Sequence, residues 1–269
     1  MARTPKSRAK IEEAPVPAAP SRKGARTRAD VPEAIRKQLN AGTLEAVTLV
    51  EVLVVDFAKL MRAVVPDLPA QQLKRLDPEL GVTQRMATAG ELLLEHAGET
   101  AFDTFRTHRS DTVRGWAAYA LGRTPELSLE ERLRRIRPLA DDPNSGVREW
   151  AWISLRPHVS RDIERAIPLL RPWTAERTNI RRYAVEITRP RGVWCEHIGR
   201  LKETPELGLP LLNPLIEETE KYVQDSVANW LNDAAKSRGE WVREVCADWS
   251  ARSEAKATER IVKRALRSL

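Results

Sequence analysis

The sequence predicts an all-α fold built as a curved stack of helix pairs, and three observations carry that expectation. Four segments, SDTVRGWAAYAL, NSGVREWAWISL, RTNIRRYAVEIT and KYVQDSVANWLN, repeat one shape. Each has a polar entry and a β-branched residue, followed in three of the four by Arg, and then an Ala/aromatic helix. The β-branched positions, Val113, Val147, Ile180 and Val223, lie 34, 33 and 43 residues apart. At that period one helix pair can bury its apolar face only against the next pair, which is how solenoids are built. No stretch alternates apolar and polar residues as a half-buried strand would.

In chain order, Ile35 and Leu39 place one apolar face on a helix that begins near Pro32 and stops at Gly42. A second helix is expected from about Leu44 to Val65, ended by Pro66, followed by short helical segments near Gln71–Leu76 and Thr83–Ala97. The four repeats come next. The longer third gap takes up a loop near Pro210–Pro214, and a basic helix, Ala257–Leu269, closes the stack. The whole reads as a HEAT-like helical-repeat solenoid over residues 30–269.

Helical geometry then assigns faces. At about 100° per residue, positions 0, +4, +7 and +8 from each β-branched residue form the buried stripe. These are Val113/Ala117/Ala120/Leu121, Val147/Ala151/Ser154/Leu155, Ile180/Ala184/Ile187/Thr188 and Val223/Val227/Trp230/Leu231. Glu149, Trp152, Arg156, Arg182, Glu186, Arg189, Asp225, Asn229 and Asn232 point away from it, with Asp233 at the flank. In a solenoid the second helices line the concave side, so these residues are expected to face one groove.

Composition bounds the chemistry. Two cysteines, Cys195 and Cys246, are too few for a disulfide scaffold or a cysteine metal site, and a reducing cytoplasm is the expected compartment. Four scattered histidines and the lack of a GxGxxG or GKS/GKT loop give no support to a metal or nucleotide cofactor. No run approaches the roughly 20 apolar residues of a membrane span. Residues 1–29 carry eight Lys or Arg against Glu12 and Glu13, which is +6 of the formal +7. That segment, rich in Pro, Ala, Ser and Arg, is expected to be a disordered basic tail. It serves either as a solubilising extension or as an arm tethering the protein to DNA.

The chemistry concentrates between Ile180 and Lys236. Arg181, Arg182, Arg189 and Arg191 surround Glu186, with Tyr183 and Trp194 close in sequence, while Asn229, Asn232 and Asp233 interrupt an otherwise apolar helix. Cations, aromatics and isolated carboxylates together suggest a polyanion bound beside a centre of developing positive charge. Each residue also has a structural reading. Arg after a β-branched residue suits a solenoid turn, Glu186 can pair with Arg182 or Arg189 on its own helix, and Asp233 can cap a helix. Asn229 and Asn232 can form ladders between repeats. Trp116, Trp230, Trp241 and Trp249 read as core, and Trp152 reads as either core or groove.

At these two blocks the sequence resembles the HEAT-like-repeat DNA alkylation-repair glycosylases of the AlkC/AlkD type, most nearly the AlkC branch. The family's paired Arg, acid, Thr-Arg-Pro-Arg and Trp are matched by Arg181, Arg182, Glu186, Thr188–Arg191 and Trp194. Its Tyr-Val…Ser-Val-Ala-Asn-x-Leu-Asn-Asp…Lys segment is matched by Tyr222, Val223, Ser226–Asn229, Leu231–Asp233 and Lys236. The resemblance covers roughly residues 111–249. It implies hydrolysis of the N-glycosidic bond of cationic alkylated bases (3-methyladenine, 7-methylguanine or 3-methylcytosine type) in double-stranded DNA. It further implies Glu186 and Asp233 as catalytic carboxylates, and the groove reading adds Trp152 and Trp194 at the lesion or its sugar and Arg148, Arg156, Arg181, Arg182, Arg189 and Arg191 on DNA. A monomer associated with the nucleoid is the form expected. One position departs: where AlkC-like chains carry Glu in an E-F-A-I-R-P-like segment, W-I-S-L-R-P here has Trp152. Glu149, one turn earlier, is a candidate replacement. Because an acid is missing, a non-catalytic protein that binds damaged or branched DNA is the alternative. A protein-interaction scaffold, the commonest use of such repeats, is a third.

Overall fold

The computed structural model describes residues 22–269, and every regular element among them is helical. Helix α1 (Glu33–Asn40) is followed by Gly42, whose φ of +71° would strain any side chain. The single helix expected over Leu44–Val65 is instead two, α2 (Leu49–Leu53) and α3 (Phe57–Val64). Two side chains start them: Thr48 Oγ1 accepts from the Glu51 amide, and Asp56 Oδ1 accepts from Lys59. The break at Val54–Asp56 is fixed from outside, where Asn40 Oδ1 accepts the Asp56 N–H at 2.8 Å. Caps and a β-branched run outweigh the apolar periodicity here.

Helices α4 (Ala70–Leu73), α5 (Val82–Ala97) and α6 (Ala101–Phe105) lead into the repeats. These comprise α7 (Asp111–Arg123), α8 (Leu129–Ala140), α9 (Ser145–Arg161), α10 (Ile163–Leu170) and α11 (Thr178–Ile187). After the short α12 (Gly199–Glu203) and α13 (Leu209–Leu212), α14 (Lys221–Ala235), α15 (Gly239–Arg252) and α16 (Lys256–Ala265) complete the stack. Helices α5, α7, α9, α11, α14 and α16 lie side by side in that order. Helix α8 covers α7 and α9, and α15 covers α14 and α16. The expected stripe is the core: of its sixteen residues only Ser154, at 7%, is more than 2% exposed. Pro210 and Pro214 lie in short helical turns rather than a loop. That stretch packs so close that a Cβ on Gly208 would fall 2.3 Å from the Trp230 ring.

The expected tail lies outside the described residues up to position 21. From Arg22 onward the chain is docked. The Arg22 guanidinium donates to both oxygens of Glu51 at 2.6 Å and to the Glu45 carbonyl, and Glu51 is 1% exposed. A buried carboxylate needs a cationic partner, and residues 22–25 supply it, so ordered structure begins before position 30.

Candidate active site

Helix α9, started by Asn144 whose side chain accepts from the Gly146 amide, carries Glu149, Trp150, Trp152 and Arg156 along two turns. Helix α11 contributes Arg182 and Glu186, and α14 contributes Ser226, Asn229 and Asp233. Between α11 and α12 the chain turns at Pro190 and presents Arg189, Val193 and Trp194. These elements, with the Ala46–Leu49 segment, line a cleft of about 360 Å³.

One charge network runs along its wall. Glu186 is 3% exposed; its Oε1 accepts from Ser226 Oγ at 2.7 Å, and its Oε2 lies 3.1 Å from Arg189. Arg182 approaches the same carboxylate at 3.7 Å and pairs with Glu149 at 2.6 Å. Arg189 continues to Asp233, placing Nε at 2.8 Å and Nη2 at 2.7 Å from Oδ2. Burial pushes the Glu186 carboxyl up, but Arg182 and Arg189 with the Ser226 hydroxyl more than offset it, and it is held below the usual range. Glu186 is therefore ionised at neutral pH. The three acids differ in access: side-chain exposure is 4% for Glu186, 6% for Asp233 and 33% for Glu149. Trp152 Nε1–H donates to Glu149 at 2.8 Å, so the indole and Arg182 together fix the accessible carboxylate.

Apolar surface faces these charges. Trp194 stacks on Trp150 with centroids 6.0 Å apart and planes 21° from parallel. Trp150 fits because α7 has Gly115 there, where a Cβ would lie 2.8 Å from the indole. Of the four large apolar side chains exposed among the described residues, Leu49, Val193 and Trp194 all line this cleft, Val193 at 73%.

No protein-family model matches the chain. By sequence it is similar to the uncharacterized protein YhaZ of Bacillus subtilis, 36% identical over 117 residues, 43% of this chain and 32% of that one. Its structure is similar to Pseudomonas fluorescens alkylpurine DNA glycosylase AlkC bound to DNA containing an abasic site analog. The TM-score is 0.62 at 26% identity, covering 87% of this chain and 64% of that chain. The chain thus spans less than two thirds of either relative. Streptococcus mutans AlkD2 matches with a TM-score of 0.58 at 21% identity, over 77% of this chain and 98% of its own. The protein smu.31 from the same species matches with 0.55 at 20%, over 70% and 98%. At those identities the two show the fold.

The chain has the fold of the AlkC/AlkD-type HEAT-like-repeat proteins. Against the residues its sequence singles out, the cleft brings together Trp152, Arg182, Glu186, Arg189 and Trp194. Asp233 lies behind that wall, joined to it through Arg189.

The six arginines expected on DNA are all engaged within the chain. Arg156, 2% exposed, donates to the carbonyls of Ile187, Arg189 and Glu196, clamping the turn that presents Arg189 and Trp194. Arg181 forms a bidentate pair with Glu218 and donates to the Glu176 carbonyl. Arg148 donates to the carbonyls of Asp142 and Pro143 and to the Tyr222 hydroxyl. Arg191 donates to the Asp233 carbonyl and to Ser237, while Arg182 and Arg189 hold the cleft acids. The carbonyls and carboxylates consume Arg156 and Arg181, whereas Arg148 and Arg191 are partly exposed and have no carboxylate partner among the described residues. Arg156 and Arg181 are structural, and Arg182 and Arg189 are the electrostatic partners of the site.

Sequence reasoning did not find the wall made by Ala46–Leu49 and Asn144–Gly146, whose residues carry no reactive groups. The Asn-Ser-Gly helix start at 144–146 was the available signal. Asn232 is a ladder, donating to the Ala265 carbonyl and to Ser268. Asn229 lines the cleft and accepts from Arg267. Trp150 and Trp152 are both buried and both line the cleft, so the choice between core and groove does not arise.

Proposed function

We propose that this protein is a DNA glycosylase that hydrolyses the N-glycosidic bond of cationic alkylated bases in DNA. The observation that carries the reading is the convergence of Glu149, Glu186 and, through Arg189, Asp233 on one cleft beside the stacked Trp150–Trp194 pair. A base already carrying positive charge leaves with the bonding electron pair and becomes neutral, so it needs little acid assistance. Positive charge then develops on the deoxyribose, and a preorganised carboxylate stabilises it by roughly 3–4 kcal/mol per group. Water adds at C1′ and its proton passes to a carboxylate or to solvent. Glu149, held by Trp152 and Arg182, is the acid best exposed to meet the ligand. Glu186 and Asp233 maintain the negative field through the arginines. The Trp194 face, exposed and parallel to Trp150, can stack on sugar or cationic base. The likeness to AlkC supports DNA as the partner.

The test is incubation with methylated genomic DNA followed by assay of free 3-methyladenine, 7-methylguanine and 3-methylcytosine. One observation favours the alternative, a non-catalytic protein that binds damaged DNA: Arg182 and Arg189 already compensate the buried carboxylates. Release of none of the three bases, with retained affinity for alkylated duplex, selects that reading.

A further inference from the structure

The arginines of the cleft are spent internally, so a polyanion seated there needs cations from elsewhere, and the docked amino-terminal segment offers them. Arg22 ties this segment to buried Glu51, the Ala25 amide approaches the same carboxylate at 3.4 Å, and Thr48 Oγ1 donates to the Ala25 carbonyl at 3.2 Å. Gly24 lies so close to Val47 and Thr48 that a Cβ there would meet their side chains at 2.6 and 2.5 Å. Val47 and Thr48 are cleft-lining residues, so the segment runs along the outside of the cleft wall. Its remaining cations, Lys23, Arg26 and Arg28, are exposed, and none has an acidic partner among the described residues. At the far end the charge of Arg28 bears on Arg85, which stacks over Phe57 at 4.9 Å and whose buried Nε has no acceptor. Arg85, with that Nε and no carboxylate partner among the described residues, suits an anion.

We propose that Lys23, Arg26 and Arg28, held on the cleft wall by the Arg22–Glu51 pair and continued by Arg85, form a track for the phosphodiester backbone of duplex DNA leading away from the cleft. The track rests on the DNA-binding part of the functional reading but not on base release. Fixing the segment in advance removes the ordering cost that a free basic arm would meet on binding. Arg22 acts as an anchor and contacts no phosphate.

The experiment uses the full chain and an undamaged 20-base-pair duplex, with affinity read by fluorescence anisotropy from 50 to 200 mM salt. Replacing Lys23, Arg26 and Arg28 together by Ala should flatten the slope of log K against log salt by about 2–3, since each lost phosphate contact removes about 0.9. Arg22→Ala should weaken binding in the same direction while the far-ultraviolet spectrum stays that of the folded stack. An unchanged slope in the triple variant overturns the track. A flattened slope there with unchanged affinity in Arg22→Ala overturns the docked geometry, because the cations would then act from an untethered arm. Base release from methylated DNA, measured alongside, fails or succeeds independently. Its absence with a flattened slope removes the glycosylase and leaves the track, and its presence with an unchanged slope does the reverse.

Discussion

Arg189→Met tests the charge network, because one guanidinium bridges two buried acids. Its side chain is 16% exposed, those of Glu186 and Asp233 are 4% and 6%, and Met keeps the length while deleting the charge. Removing one member of a buried pair costs about 3–5 kcal/mol, since the uncompensated charge stays behind. Glu186 keeps Ser226 and, at 3.7 Å, Arg182. Asp233 keeps only half-exposed Lys236 at 3.4 Å and bears the greater loss. The lower end of the range, about 3 kcal/mol, is therefore expected, which for a domain of this size lowers Tm by about 6–12 °C. Thermal unfolding followed by circular dichroism reads it directly. The sign with pH follows from Glu186, whose carboxyl is held below its ordinary 4.5. A depressed carboxylate contributes its full stability above that ordinary value and loses it as pH falls through the folded-state value. The gap between wild type and variant should thus be complete at pH 7 and narrow in acid. A Tm loss below about 2 °C at pH 7, or a gap independent of pH, refutes the bridge as a stabilising element.

Glu186→Gln and Asp233→Asn should each slow release of alkylated base by about 10²–10³-fold if the negative field acts on the transition state; single-turnover rates on methylated DNA check this, and equal rates in all three proteins remove the assignment. Trp152→Phe deletes the N–H that holds Glu149 and should cost about tenfold in rate, roughly the worth of a hydrogen bond to a charged group. In a double-mutant cycle with Glu149→Gln the losses should not add, and full additivity would show that the indole acts without Glu149. Burial pushes the Asp111 carboxyl, whose Oδ1 accepts from the Ala46 amide behind the cleft, up to about 6 from an ordinary 3.8. Stability from such a raised acid is present below pH 3.8 and lost as pH rises to 6. Asp111→Asn should therefore gain on wild type across that window, by up to about 3 kcal/mol; a difference constant from pH 4 to 7 in urea titrations excludes this.

The architecture was legible because solenoid packing repeats one local rule. Val113, Val147, Ile180 and Val223 and their companions at +4, +7 and +8 are core for a reason that each segment states by itself, the 3.6-residue period. Residue types at the site were legible for a related reason: Glu186, Asn229 and Asp233 interrupt apolar helices, and the interruption is visible without coordinates. What an arginine does with its charge was not. Arg156 and Arg181 carry the same side chain as exposed Arg26, yet Arg156 clamps three carbonyls 31 to 40 residues away and Arg181 pairs with Glu218, 37 residues on. Long-range partners are chosen by how the repeats stack, which no local pattern encodes. The same holds for Arg22. Composition places it in a tail, and only the fold brings buried Glu51, 29 residues later, within 2.6 Å. Sequence alone thus determined the helical repeat and the chemical inventory of its groove. Tertiary structure decided which charges are consumed in holding the cleft and which stay free to meet a ligand, because pairing depends on distance and burial rather than on residue type.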